Sequence, residues 1–118
     1  PMSCIPEVVH KLAELGAKYG VNIHIAAHAA DGNVHADILK EDMPMEQWLE
    51  VLPQLQDELY AFIYSLGGKL SGEHGIGYKR LALMKKYCNP VELKMMKAIK
   101  LALDPNRIMN PGKIFSLD

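Results

Sequence analysis

Two histidines that flank a short polar turn have the residue type and the spacing of a possible metal site. His28 and His35 lie on either side of Ala30-Asp31-Gly32-Asn33, a combination typical of turns. Residues that face each other across an antiparallel hairpin project from one face, with Cβ atoms about 5 Å apart. The two imidazoles could therefore point at one metal ion, although polar hairpin residues near solvent show the same spacing.

A glycine-rich segment carries a second pair of chemically able side chains. Glu73 and His74 lie within the run Gly72-Glu73-His74-Gly75-Ile76-Gly77. Glycine lets a backbone approach a ligand closely, so a carboxylate and an imidazole in such a run suit a binding loop. An exposed turn is the alternative for this segment taken alone.

The histidine pair and the glycine-rich segment together indicate a metal site, which neither indicates alone. His28, His35 and Glu73 would form an open three-ligand set, a pattern used by catalytic divalent metals such as zinc, manganese and iron. His74 would lie beside the ion without being a ligand. Because imidazole titrates near neutral pH, such a residue is suited to remove a hydroxyl proton, which a metal on the same hydroxyl makes easier.

The elements that must position these residues are predicted from hydrophobic periodicity. Alternating apolar side chains predict two hairpin strands, and apolar side chains at steps of three and four predict helices, so the fold class is α+β. Pro53 falls inside the longest helical stripe and is expected to kink that helix or to split off its first turn. The predicted bounds are helix 5–19, strands 21–28 and 34–39, helix 44–66, a short strand 69–71, helix 78–87 and a last helix from 90 to about 103.

Composition narrows the class of protein. The 118 residues fit one domain, and a formal net charge of −1 with no basic or acidic block argues against a nucleic-acid partner. Cys4 and Cys88 form no CxxC pair, which suits a reducing compartment. No apolar run approaches the roughly 20 residues of a bilayer span, and no signal peptide is evident. The expected location is the cytoplasm, with any membrane association made through partner proteins.

Three motifs in order resemble the C-terminal domain of FAD-linked oxidases, the group of glycolate oxidase catalytic subunits, D-lactate dehydrogenases and D-2-hydroxyglutarate dehydrogenases. Residues 28–35, HAADGNVH, resemble the family pattern H-x-G-D-G-N-x-H. Residues 71–77, SGEHGIG, are similar to S/T-A/G-E-H-G-I/L/V-G. Asp104-Pro105 followed by Asn110-Pro111-Gly112-Lys113 resembles the family ending D-P-x-x-I/L/M-L/M/F-N-P-G-K, so the likeness covers nearly the whole chain.

The resemblance implies a role for each candidate residue. His28, His35 and Glu73 would be ligands of a divalent metal, and His74 would be the catalytic base. The metal and the base would hold the 2-hydroxyl and carboxylate of a small 2-hydroxyacid while its C2 hydride passes to FAD. Asn110 would lie near the flavin.

The resemblance also implies a particular architecture. The family's cap domain is ferredoxin-like, an antiparallel sheet covered on one face by helices, and residues 1–118 would supply its C-terminal part. In the family a larger upstream domain binds most of the FAD. Since the sequence contains no such domain, the chain is expected to be a fragment that is inactive alone. The expected partners are that FAD-binding domain, oxidase subunits or a second copy of the chain.

Two positions depart from the family pattern. Ala30 replaces a glycine and would shift the turn if that position needs positive φ. Asp37 replaces an asparagine that touches substrate in the hydroxyglutarate-type enzymes. Because a carboxylate there would repel an anionic substrate, a glycolate- or D-lactate-like substrate is expected instead.

Two other functions fit the same residues. A stand-alone metal-binding module or hydrolase would use the three ligands to activate water, although the sequence offers it no second acid. A non-catalytic assembly domain would use the apolar helices to bind a neighbouring domain or subunit.

Overall fold

The computed structural model describes residues 1–117 and divides the chain into two compact units, the first ending at Glu73 and the second beginning at His74. Each unit is described by itself. Unit 1 contains a short 3-10 helix (Met2–Cys4), α1 (Ile5–Tyr19), β1 (Asn22–His28), β2 (Asn33–Leu39) and α2 (Met45–Ser65). Unit 2 contains α3 (Leu81–Tyr87) and α4 (Pro90–Leu103). The prediction of an α+β fold is confirmed.

The core of unit 1 forms where the apolar face of α1 meets α2 and the hairpin. Val8, Leu12 and Leu15 repeat at helical spacing and are buried, with Leu15 fully inaccessible. Leu55 and Leu59 of α2 complete the same cluster. The periodic stripe therefore packs as the sequence predicts.

The hairpin supplies the sheet of this unit, and its two faces differ in chemistry. The antiparallel register pairs Asn22 with Leu39 at one end and His28 with Asn33 at the other. One face carries Ile23, Val34, Ala36 and Ile38, all packed against the core. Since neighbouring residues of a strand point to opposite faces, the polar side chains project away from that core. The polar face carries His24, His28, Asn33, His35 and Asp37.

Two sequence predictions in unit 1 need correction. Helix α2 continues through Pro53, so its first turn is not split off as one of the two expectations had it. Apolar side chains on both sides of Pro53, including Val51 and Leu55, pack on the core and outweigh the lost backbone hydrogen bond. The predicted strand 69–71 is wrong: within residues 1–117 the sheet contains β1 and β2. Leu70 is buried in that segment, so it anchors an irregular stretch of backbone.

Unit 2 is helical in the part that the structure describes. Helix α3 begins at Leu81, three residues later than predicted, because the preceding residues form a turn in which Leu81 donates a backbone hydrogen bond to Tyr78. Asn89 caps α4 by accepting a 2.8 Å hydrogen bond from the Val91 amide. None of the helices within residues 1–117 is long and apolar enough to cross a membrane.

The charges are partitioned between the units. Residues 1–73 carry four Lys and Arg against eleven Asp and Glu, whereas residues 74–118 carry nine against three. The near-neutral total therefore conceals an acidic unit and a basic one. The sequence interpretation that the chain has no acidic or basic block concerned the total charge and short runs, and it did not compare the two halves of the chain.

A pH-dependent contact joins α1 to α2. Lys18 Nζ and the Tyr19 hydroxyl both donate to Glu58 Oε1, each at 2.5 Å. The hydrogen bonds from Lys18 and Tyr19 hold the pKa of Glu58 below its ordinary value of 4.5. A carboxyl group with a lowered folded-state pKa stabilises the fold above its unfolded pKa and loses that contribution as pH falls through the folded value.

We therefore expect Glu58→Gln to lower Tm at pH 7 and to lower it progressively less as pH falls below 4.5. The effect is modest because the pair is partly exposed and is screened by salt. Thermal unfolding followed by circular dichroism from pH 7 to pH 3 measures it, with Glu50→Gln on the exposed face of α2 as the matched control. A Tm difference that is constant with pH would contradict the assignment.

Candidate metal centre

The side chains of His28 and His35 meet on the polar face of the hairpin. The register pairs His28 with Asn33 and His35 with Ala26, so the two histidines are diagonal neighbours rather than direct partners. Diagonal side chains in a ladder remain within reach of each other when they are long or aromatic. The two ring centroids lie 5.3 Å apart with an interplanar angle of 80°.

Glu73 reaches the same place from the loop after α2. Its Oε1 lies 3.0 Å from His35 Nε2 and 3.7 Å from His28 Nε2. One ligand atom from each of the three residues lies within 4.8 Å of the others, and within residues 1–117 this is the one cluster of its kind. The structure thus brings the three predicted ligands together, all inside unit 1.

The donor set and its exposure suit a divalent ion with open coordination positions. Two imidazole nitrogens and one carboxylate oxygen are ligands that zinc, manganese and iron accept. The side chains are 59%, 24% and 48% exposed for His28, His35 and Glu73, so solvent or a small substrate can approach the site. A closed structural zinc site would need a fourth protein ligand.

The other polar residues of the face lie around this cluster but outside it. His24 pairs with Asp37 across the ladder, farther from the turn than the three candidate ligands. Asp37 is exposed and shares the face of His35.

The turn itself tolerates the Ala30 departure. Among the non-glycine residues that the structure describes, positive φ occurs at Glu41, Arg107, Asn110 and Ile114, and therefore not at Ala30. Gly32 supplies the left-handed conformation of this loop, with φ of 71°. The sequence expectation that a methyl at residue 30 could shift the turn is not met.

The two remaining candidates, His74 and Asn110, lie in unit 2 on segments that backbone bonds join. Ile114 donates a 2.8 Å hydrogen bond to the Gly77 carbonyl, which links the tail after Asn110 to the glycine-rich loop. Arg80 Nη1 donates to the Gly75 carbonyl at 3.0 Å and braces the loop from the side of α3. The glycine-rich loop after His74 is therefore held by hydrogen bonds to the carbonyls of Gly75 and Gly77.

Asp104 is a residue whose role the sequence analysis missed. Its carboxylate is 4% exposed and accepts hydrogen bonds from the amides of Ile108, at 3.1 Å, and Met109, at 3.0 Å. Lys100 Nζ donates to Asp104 Oδ2 and to the Met109 carbonyl, each at 2.5 Å. Asp104 and Lys100 thus clamp the backbone immediately before Asn110. In the sequence Asp104 is visible only as an Asp at the end of a predicted helix and as part of the Asp104-Pro105 motif, which does not reveal these contacts.

The clamp also shifts the titration of its carboxyl group. The hydrogen bond from Lys100 lowers the pKa of Asp104 below its ordinary value of 3.8, against the opposing effect of burial. The amides of Met109 and Ile108 act in the same direction. Asp104 is therefore a charged acceptor at neutral pH.

Three side chains that could hold a metal ion lie together on an α+β unit, and comparison with known proteins gives the family of the chain. The family model "FAD linked oxidases, C-terminal domain" matches residues 1–114. The chain belongs to this family, as the sequence motifs predict.

Curated relatives extend over most or all of the chain. D-lactate dehydrogenase from Archaeoglobus fulgidus is 36% identical over 97% of the chain, and glycolate oxidase subunit GlcD from Bacillus subtilis is 34% identical over 100% of it. D-2-hydroxyglutarate dehydrogenase from Stutzerimonas stutzeri is 37% identical over 75% of the chain. The chain spans 25%, 25% and 19% of those relatives' lengths, respectively.

We expect Asp104→Asn to loosen the backbone before Asn110. An amide side chain offers one acceptor oxygen and no negative charge, so it cannot replace both backbone bonds and the ion pair with Lys100. Amide hydrogen exchange of Ile108 and Met109, followed by NMR, should quicken, while exposed Asp42→Asn should leave it unchanged. Unchanged protection in the Asp104 variant would show that the clamp does not hold this segment.

Proposed function

We propose that this chain forms the substrate- and metal-binding part of an FAD-dependent 2-hydroxyacid dehydrogenase. The observation that carries the proposal is the convergence of His28, His35 and Glu73 within 4.8 Å, on a face left open to solvent. Family membership and the names of the relatives support the flavin chemistry. In this proposal, substrate is oxidised to the 2-oxoacid only in a protein that also contains an FAD-binding part.

In this proposal the three ligands and His74 have different roles in the reaction. His28, His35 and Glu73 would hold a divalent zinc, manganese or iron ion, which supplies Lewis-acid polarisation of a substrate oxygen. FAD supplies the two-electron acceptor for the hydride from C2. His74 follows Glu73 directly in the chain and would accept the proton of the 2-hydroxyl. Asn110, on the tail joined to the same loop, would lie near the flavin.

One charge on the hairpin bears on which substrate the chain would accept. Asp37 shares the sheet face of His35 and would repel a second carboxylate on the substrate. A monocarboxylate such as glycolate or D-lactate therefore fits this chain better than 2-hydroxyglutarate.

An exposed apolar stripe on α4 supports a second role, assembly with a further domain or subunit. Helix α4 buries none of its residues, and four apolar side chains recur at steps of four along it. Val91, Met95, Ile99 and Leu103 are 65%, 61%, 59% and 79% exposed. Such a contiguous apolar surface is typical of an interface. The FAD-binding part of the whole protein, oxidase subunits or a second copy are the proposed partners.

The metal proposal predicts about one ion per chain after equilibration with zinc or manganese and dialysis. His35→Ala should lose the ion, because two exposed ligands cannot hold it. His24→Ala is the matched control, since His24 lies on the same sheet face outside the cluster, and it should keep the ion. Elemental analysis of the three proteins measures the result. Equal metal content in wild type and His35→Ala would rule out this centre.

The base proposal predicts that His74→Ala retains metal but loses turnover in the full-length protein. Removing a general base typically costs about 10²–10⁴-fold in kcat. Turnover of D-lactate and glycolate with an artificial electron acceptor measures the loss, and His10→Ala on the exposed side of α1 should leave it unchanged. Normal turnover with His74→Ala would contradict the role, whatever the metal content.

A further inference from the structure

We infer that Asn33 is a positioning residue that sets the place of the Glu73 carboxylate relative to the two histidines. This inference rests on the metal centre proposed above and adds to it a residue that binds no ion. Its basis is a close approach between the first residue of β2 and the backbone just before Glu73.

Asn33 occupies the last ladder position before the turn. It pairs directly with His28 and is half-buried. Side chains of directly opposed residues lie on one face with Cβ atoms about 5 Å apart, so Asn33 stands beside the first proposed ligand. Two residues farther along β2, on the same face, stands His35.

The Asn33 side chain also fills the space in front of Gly72. A Cβ atom on residue 72 would lie 2.6 Å from Asn33 Cγ and 3.3 Å from Asn33 Cβ, and closer still to the Oδ1 atom. Separations below 3.0 Å are essentially never seen for real Cβ atoms. The Gly72 backbone therefore rests against Asn33 as closely as a glycine allows.

Backbone conformation does not explain the glycine at this position. Positive φ occurs at six other glycines of the described chain, and Gly72 is not among them. Residue 72 must be a glycine because the Asn33 side chain occupies the space that a Cβ atom would need. Because Glu73 is the next residue, the contact fixes how near the loop ligand comes to the hairpin ligands.

The inference predicts that substitutions at Gly72 and Asn33 have non-additive effects on metal affinity. In the full-length apoprotein, Gly72→Ala should weaken Mn²⁺ binding by about 10–100-fold, because the new methyl pushes the loop from Asn33 and displaces Glu73. Asn33→Ala should weaken it by about tenfold, because the loop loses its support. The double variant removes the clashing Oδ1 and Cγ atoms, so adding Gly72→Ala to Asn33→Ala should cost about threefold or less.

Mn²⁺ titration followed by electron paramagnetic resonance measures these affinities, and thermal unfolding of each variant follows stability in parallel. Asn22→Ala is the matched control, since Asn22 lies on the same sheet face at the far end of the hairpin, and it should not change the affinity. A loss in the double variant that is clearly smaller than the product of the two single losses supports the inference. Strictly additive losses, or an unchanged affinity in Gly72→Ala, would overturn it.

The two proposals fail in different ways. If wild type binds no Mn²⁺, zinc or iron, the metal centre is contradicted. The Tm values of the same two single variants and the double variant then test the contact between Asn33 and Gly72 without any metal. Coupled Tm changes would support Asn33 as the residue that places the loop, and additive changes would overturn it.

Discussion

The alternation of apolar and polar side chains along the hairpin is the constraint on which the rest of the structure depends. The face with Val34 and Ile38 packs on α1 and α2, and this packing leaves the opposite face to His28 and His35. A slip of one residue would reverse every side chain, burying imidazoles and exposing the aliphatic face. Hydrophobic burial on one side of a two-stranded sheet thus fixes the register of a polar cluster that makes no contribution to that core.

The sequence predicts those features that depend on local periodicity. The bounds of α1 match the predicted helix, and both strands agree with prediction to within one residue, because period 3.6 and period 2 are properties of short segments. The shared face of His28 and His35 follows from parity along the strands. The glycine-rich run that carries Glu73 and His74, combined with the two histidines, predicts Glu73 as the third partner, and the family motifs agree. The periodicity of the chain alone could not do this.

Features that depend on distant contacts were missed or predicted wrongly. The diagonal relation of His28 and His35 depends on the length of the turn, and the approach of Gly72 to Asn33 depends on where α2 ends. The split of the first turn expected at Pro53 does not occur, because packing on the core keeps the helix continuous. The contacts of Asp104 were missed, since the backbone donors that a buried carboxylate contacts cannot be identified from residue types. In each case the deciding energy comes from tertiary packing or hydrogen bonding rather than from propensity.

The separation of the three proposed ligands along the chain bears on how the proposed centre would acquire a metal during synthesis. The two histidines lie on one local hairpin, which leaves the ribosome before α2 and before the loop that carries Glu73. Until that loop arrives, the nascent site is a pair of nitrogen donors. Nitrogen pairs bind copper, nickel and zinc more tightly than manganese, and the carboxylate brings the oxygen that manganese prefers. If the proposed centre holds a metal, the metals that the cell keeps available while the chain is half made would therefore influence which ion it takes first.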